Sequence, residues 1–397
     1  MVGSGGREHA LAWKFALSPS LTALHAAPGN PGIATLGDCH PVRAEDSEGL
    51  LALAGSLRVD LVVVGPEAPL VAGVADELRH SGVSVFGPGA GAAAIEGSKS
   101  FAKDVMQAAG VPTAATMPIA RPPCVVKADG LAGGKGVVVC RTQEELDDGL
   151  AAISGFGGPL VIEELLEGPE VSLFAICDGR EAVALAPARD YKRAYDGDVG
   201  PNTGGMGAVA PVPDLVSSEI EDLVERVHRP VISELARRGA PFVGLLYAGL
   251  MLTAEGPKVL EFNCRFGDPE TQAVLPLVDG DLLEALAAAA RGELAGVSLG
   301  HVVGAAVTVV LAAGGYPGSD DSGSPIDGLD RADAAGALVF HAGTARRGGR
   351  VVTNGGRILA VTGCGESVAA ARVAAYAGAE RISFPGMRYR TDIALGG

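Results

Sequence analysis

The chain has 397 residues, enough for two to four domains with separate cores. Asp and Glu number 47 against 31 Lys and Arg, and the resulting net charge of −16 argues against a nucleic-acid partner, whose phosphate backbone selects the opposite balance. Six scattered cysteines without a CxxC pair exclude a disulfide scaffold or zinc ribbon, and the opening MVGSGGREHAL lacks the basic start and apolar core of a signal peptide, so the chain reads as cytoplasmic, with no membrane segment.

Residues 3–94 alternate short apolar runs with helical patterns. The run 61–64 (LVVV) ends in Gly65-Pro66 and reads as a strand buried on both faces; 72–80 suits a helix, and 83–86 is a further strand closed by Gly87-Pro88. Such units imply a parallel sheet with a ligand crevice at its strand C-termini. Between 96 and 168 the pattern changes to a helix, strands at 124–127 and 136–140, a helix at 144–153 and a strand at 160–163, a small glycine-flanked unit that could move as a lid. Strands follow at 171–176, 182–186, 245–252 and 258–262. A helix starting at Ser218 carries a capping box, Ser218 with Glu221, and an apolar face of Ile220, Leu223, Val224 and Val227; another helix spans 281–291. From about 300 onward, three strand-like runs (302–311, 337–341, 358–362) and an Ala-rich helix at 367–380 make a terminal α+β domain.

Three segments carry chemistry. The opening GSGGREH fails the dinucleotide fingerprint, because Glu8 stands where GxGxxG needs its last glycine; the loop either offers backbone N–H groups to a phosphate or is a tight turn. The loop 129–136 (DGLAGGKG) is not a Walker A motif, but Gly133, Gly134, Lys135 and the preceding Lys127 suit a polyphosphate, and a buried Lys127 needs a partner. In 258–263 (KVLEFN), strand alternation points Glu261 and Asn263 to one face and Leu260 and Phe262 to the other, either two hard oxygen donors for Mg²⁺ or the wet face of an edge strand. The following CRFGDPE places Arg265, Asp268 and Glu270 near that metal; Arg265 either grips an anion or pairs with Asp268. The segment 190–207 is a long glycine-rich loop containing Lys192, Arg193, Asp196 and Asp198, of a length more often functional than idle. The histidines show no metal or triad spacing and read as structural, and no nucleophile elbow is present.

These residues sit in ordered blocks: GSGGREHALAWK (3–14), APGNPG (27–32), VGPEAPLVAG (64–73), EGSKSFAK (96–103), VVKADGLAGGKGV (125–137), GPNTGGMGA (200–208), GLLYAGLM (244–251), EFNCRFGDPETQ (261–272), GGYPG (314–318), FHAGT (340–344) and TNGGR (353–357). In that order the chain resembles the glycinamide ribonucleotide synthetases, ATP-grasp ligases of purine biosynthesis. The resemblance implies an α/β protein: a Rossmann-like parallel-sheet domain at 1–94, an ATP-grasp core at 95–298 with a small lid at roughly 112–163, and an α+β C-terminal domain at 299–397. It implies ligation of glycine to 5-phosphoribosylamine through glycyl phosphate, with ATP and Mg²⁺ (or Mn²⁺), by a monomer. Carried over position by position, Lys99 and Lys127 would meet the ATP phosphates, Glu163 and the Leu165 backbone adenine, Glu170 the ribose, and Glu261 with Asn263 the metal. Gly3, Gly5, Gly6, Asn30 and Glu67 would lie near phosphoribosylamine. Arg265 and the loop of Asn202, Thr203, Gly204 and Gly205 would face glycine or the acyl phosphate, with Lys127, Arg265 and Asp268 as the catalytic groups. Rival readings are another ATP-grasp carboxylate–amine ligase, a non-catalytic nucleotide binder and, resting only on GSGG and failing at Glu8, an NAD-dependent oxidoreductase. Because the family's first strand is longer than the two residues ahead of GSGG, that strand is expected to be missing or truncated and the loop loose.

Overall fold

Short β-branched runs between glycines build the first sheet, and the fold can be followed from there in a computed structural model that describes residues 1–131, 136–213, 215–300 and 302–396. Strands β1 (Val2–Gly3), β2 (His25–Pro28) and β3 (Asp38–Cys39) are parallel, as are β4 (Val62–Val63) and β5 (Val85–Phe86), and a Val2–Val64 bridge joins the two sets. The first strand is truncated, as one half of the expectation has it, and only its outright loss and a loose loop are corrected. Val2 is buried, its carbonyl accepts from Gly65 N at 3.0 Å, and the Met1 carbonyl accepts from Ala27 N at 2.9 Å, so a two-residue strand suffices to anchor the loop. Helices α1 (Gly6–Phe15), α2 (Ser47–Leu57), α3 (Glu67–Val71), α4 (Val74–His80), α5 (Ala90–Gly97) and α6 (Lys99–Ala109) accompany these strands.

The small unit consists of β6 (Cys124–Ala128), β7 (Val137–Cys140), α7 (Gln143–Ile153) and β8 (Leu160–Glu164), with antiparallel order β7-β6-β8. Its own core of Cys124, Val126, Cys140, Leu146 and Ile153 is separate from the main ones, the packing expected of a lid. Behind it lies the antiparallel sheet β10-β9-β15-β16, made of β9 (Glu170–Asp178), β10 (Ala182–Ala184), β15 (Val243–Thr253) and β16 (Gly256–Asn263). The glycine-rich segment is not a bare loop. It contains β11 (Arg189–Asp190), a hairpin of β12 (Arg193–Tyr195) and β13 (Val199–Asn202), and β14 (Gly207–Ala210).

Helix α8 (Ser217–Leu223) begins one residue earlier than expected, and Glu219, not Glu221, reaches back to the Val216 N–H at 2.9 Å. Leu223, Val224 and Val227 are buried as the pattern required. The chain continues through a π-helical segment, Val224–His228, into α9 (Arg229–Arg237). Helices α10 (Glu270–Val274) and α11 (Leu282–Arg291) follow β16, with Asp281 capping α11 through Glu284 N.

The C-terminal sheet draws on the middle of the chain. Its order is β11-β14-β17-β22-β19, with β17 (Ala305–Ala312), β19 (Leu338–His341) and β22 (Arg357–Gly365) accompanied by α12 (Leu329–Asp333) and backed by α13 (Val368–Ala379). A second sheet of β18 (Asp321–Pro325), β20 (Thr344–Arg347) and β21 (Arg350–Gly355) had no strand signal, because DSGSP and TARR carry no apolar alternation. Leu11 of α1, Ile176 of β9, Leu286 of α11 and Phe340 of β19 share one core, in which the N-terminal and C-terminal parts pack against each other and against the central sheet.

Candidate active site

A cavity of about 1000 Å³ lies between the lid, the central sheet and the N- and C-terminal parts. Its lysine wall comes from β6 and α6. Lys127 Nζ donates to the Leu260 carbonyl at 2.8 Å and pairs with Glu163 Oε2 at 2.7 Å, so the partner that a buried lysine requires is Glu163. Lys103 meets the other oxygen, Oε1, at 2.7 Å and also donates to Thr113 Oγ1 at 2.8 Å and the Ala114 carbonyl at 2.6 Å. Lys103 had been overlooked, although its spacing of four from Lys99 puts both ammonium groups on one helix face. Lys99 Nζ donates to the Gly130 carbonyl at 2.9 Å, while Asp129 accepts from the Lys99 N–H and the Ser98 and Ser100 hydroxyls, tying the root of the loop to the start of α6. Burial lowers the pKa of Lys99 and Lys103 against the pull of nearby carboxylates, Glu261 and Glu163 respectively. Gly133, Gly134 and Lys135 lie outside the described residues. Leu165 lines the cavity beside Glu163.

Facing the lysines is an acidic wall. Glu261 pairs in register with Gly249 and Asn263 with Tyr247, and both line the cavity. The strict alternation expected here is broken: Leu250 pairs with Val259, so Leu260 is the extra residue of a β-bulge. Val259 and Phe262 enter the core, whereas Leu260 stays on the cavity side, where its carbonyl receives Lys127. Burial acts to raise the Glu261 pKa, but Lys192, Lys127, Lys99 and Arg265 outweigh it and hold the carboxyl below its ordinary value. Tyr247 donates its hydroxyl to Glu270 Oε1 at 2.8 Å, and Glu170 pairs with Lys192.

At the junction with the N-terminal part, Arg265 does not pair with Asp268. Its Nε lies 3.2 Å from Glu67 and Nη2 3.0 Å from Glu96, both presented by N-terminal helices. Asp268 instead accepts from Gln272 at 2.9 Å and stands 3.4 Å from Arg357, which also donates to the Asp268 and Gly204 carbonyls. Arg357 had no assigned role; it brings the TNGGR block onto the glycine-rich loop. Thr203 donates N–H and hydroxyl to the Lys192 carbonyl at 2.8 and 2.9 Å, and Asn202, Thr203 and Gly204 line the cavity. Gly205, with φ +106°, passes so close to Pro269 that a Cβ would lie 2.4 Å from its Cδ.

Glu67 lines the cavity, but Gly3, Gly5, Gly6 and Asn30 do not. Glu8, where the fingerprint failed, takes the Gly5 N–H at 2.6 Å and Arg7 at 2.6 Å, so a carboxylate of the chain itself occupies the start of α1. A Cβ on Gly65 would sit 2.1 Å from that carboxylate, which explains the glycine after β4. Asn30 donates to the Ser4 and His341 carbonyls at 2.9 and 2.8 Å and accepts from Gly32 and Ile33 N–H, leaving its amide fully engaged by the protein.

Comparison with known proteins gives three consecutive family matches: the N domain of phosphoribosylglycinamide synthetase at residues 1–96, its ATP-grasp (A) domain at 97–271 and its C domain at 306–396. A phosphoribosylamine–glycine ligase of Streptomyces coelicolor is 51% identical over 410 residues, covering 99% of this chain and 98% of the relative. That of Corynebacterium ammoniagenes is 49% identical, covering 99% and 96%. The crystal structure of phosphoribosylamine–glycine ligase from Thermotoga maritima superposes with a TM-score of 0.85 at 37% identity, covering 99% of this chain and 98% of that one. The biotin carboxylase domain of a Hydrogenobacter thermophilus 2-oxoglutarate carboxylase, solved with MgADP and bicarbonate, shares the fold at a TM-score of 0.71 and 18% identity, covering 98% and 90%.

Proposed function

The chain belongs to the phosphoribosylglycinamide synthetase family of ATP-grasp ligases, and from that premise we propose how its cavity performs ATP-dependent ligation of glycine to 5-phosphoribosylamine. The product is glycinamide ribonucleotide, with ADP and phosphate released, a step of purine biosynthesis. The observation that carries the division of labour is one cavity with Lys99, Lys103 and Lys127 on one wall and Glu261 with Asn263 on the other.

Glycine's carboxylate is a poor electrophile, so its oxygen attacks the γ-phosphorus of ATP and ADP leaves; the amine of phosphoribosylamine then attacks the carbonyl carbon of glycyl phosphate and phosphate leaves. No side-chain nucleophile is needed. Lys99 and Lys127 spread the phosphate charge, Leu165 and Glu163 frame adenine, and Glu170 accepts from the ribose hydroxyls. Arg265 and Asp268, locked by Glu67, Glu96 and Arg357, with Asn202, Thr203 and Gly204, hold the glycine end. Gly3, Gly5, Gly6 and Asn30 shape the wall behind Glu67 and Arg7 and so act on phosphoribosylamine through these side chains. The donor set fits Mg²⁺, and Mn²⁺ equally: a carboxylate held ionised by its neighbours and an amide oxygen two residues on, where the ion would neutralise phosphate charge. Lid residues Val125, Val137 and Val139 reach the cavity and exclude water from the acyl phosphate.

The segments 1–94, 95–298 and 299–397 serve as amine-side wall, ATP-grasp core and closing wall. We take a monomer as the working unit, and six free thiols support the reducing cytoplasm. No helix among the described residues is long and apolar enough to cross a membrane. ADP release is to be measured with Mg-ATP, glycine and phosphoribosylamine generated in situ, omitting each in turn and replacing glycine by alanine. Release that requires all three and falls sharply with alanine is expected; release that persists without glycine or phosphoribosylamine overturns the assignment.

A further inference from the structure

Lys192 follows β11 within the cavity, and its ammonium group pairs with Glu170 at the start of β9. Asp190 and Glu261 act on the same ammonium, and of the cations facing Glu261, Lys192 acts most strongly, ahead of Lys127, Lys99 and Arg265. One flexible cation thus stands between the carboxylate proposed for the ribose and the carboxylate proposed for the metal and phosphates. Both members of the pair are 34% exposed, so it can open without leaving a dry, uncompensated charge. The Lys192 backbone, by contrast, is fixed, since its carbonyl holds the Thr203 N–H and hydroxyl. Only the side chain is free to change rotamer.

Ribose hydroxyls donate hydrogen bonds to a carboxylate and so replace an ammonium group on it, whereas a triphosphate attracts that ammonium. We infer that Lys192 is a displaceable cap on Glu170 and that the ribose of ATP transfers it to the phosphate chain, making correct seating of the nucleoside a condition for phosphoryl transfer. The inference rests on the reading that Glu170 takes the ribose.

Its signature is a pair of effects of opposite sign. Adenosine is uncharged and lacks phosphates, so Lys192→Met should bind it about 2- to 5-fold more tightly than the wild type, the worth of a half-exposed ion pair no longer to be broken. The same substitution should lower the ligation kcat by about 100-fold, the scale for losing one preorganised charge donor. Affinities are to be read by competition against a fluorescent ADP analogue, with 2′,3′-dideoxyadenosine as the control; wild type and variant should bind the control equally. Lys192→Gln, which keeps a polar head, should behave as Lys192→Met and guards against a folding defect in either. Adenosine bound no more tightly by both variants, while the wild type still distinguishes it from the dideoxy form, refutes the cap and leaves the ribose reading intact. Failure of the wild type and both variants to distinguish the two nucleosides refutes the ribose reading and the inference together. An unchanged kcat refutes the transfer to the phosphates.

Discussion

Replacing Lys103 by Met tests whether Glu163 is a charge that two lysines must share. The two contacts are 2.7 Å each, and the side chains are 14%, 3% and 7% exposed for Lys103, Glu163 and Lys127. Removing the sole partner of a buried charge costs about 3–5 kcal/mol. In the empty protein Lys127 remains, so the loss is that of one charged hydrogen bond, about 1.5–3 kcal/mol. Thr113 Oγ1 and the Ala114 carbonyl also lose their donor. On the proposed role of Lys127, the nucleotide would draw its ammonium to the phosphates and leave Glu163 with none in this variant, so the cost would rise to the higher range. The difference, about 1.5–2 kcal/mol, weakens ATP binding by roughly 10- to 30-fold. Titration calorimetry with Mg-ATP reads this directly, and thermal unfolding confirms that the variant is folded. Adding Glu163→Gln to Lys103→Met should not recover the stability, because the neutral amide leaves the buried Lys127 ammonium without its counter-charge. A folded Lys103→Met protein with an ATP Kd within about twofold of wild type, or a double variant clearly more stable than the single one, refutes the argument.

Glu261→Ala removes a carboxylate that four cations face, and turnover should fall by about 100-fold or more at any Mg²⁺ concentration. ADP release within about tenfold of wild type would sink the metal assignment. The structural histidines set a pH dependence. Burial lowers the pKa of His9 to about 3, with His341 adding to the shift, and burial lowers His228 and His341 to about 4. Each lies below the ordinary value near 6.5, so the unfolded chain binds protons first; the stabilisation is complete above about pH 6.5 and is lost as pH falls towards 4. The melting midpoint should drop through that window, less steeply in His228→Gln, and a midpoint that stays level would contradict the burial of these rings.

Much of the site is local in origin. Val125 to Ala128 is apolar enough to form a buried strand, which forces Lys127 to find a partner, and Glu261 and Asn263 share the cavity wall because they stand two apart on β16. These facts follow from side-chain chemistry and strand period, so Lys127, Glu261 and Asn263 were legible in the sequence, whereas Lys103 was not. The identity of the partners was not. Glu163 is 36 positions from Lys127 in number but is brought beside it by the β6–β8 pairing, and Lys103 reaches it from a different element.

The same division holds for the whole protein. Ordered motif blocks and apolar periods determined the family, most element types and the principal charged residues of the cavity, among them Lys127, Glu261 and Arg265. Tertiary structure decided which charges neutralise each other: Arg265 with Glu67 and Glu96, Asp268 with Arg357, and Lys192 with Glu170. It also decided that Leu260 bulges onto the cavity side and that Glu8 fills the start of α1. The reason is physical: periodicity reports which face of an element is buried, a property of neighbouring residues, whereas the pairing of buried charges depends on distances between segments that only the packed chain brings together.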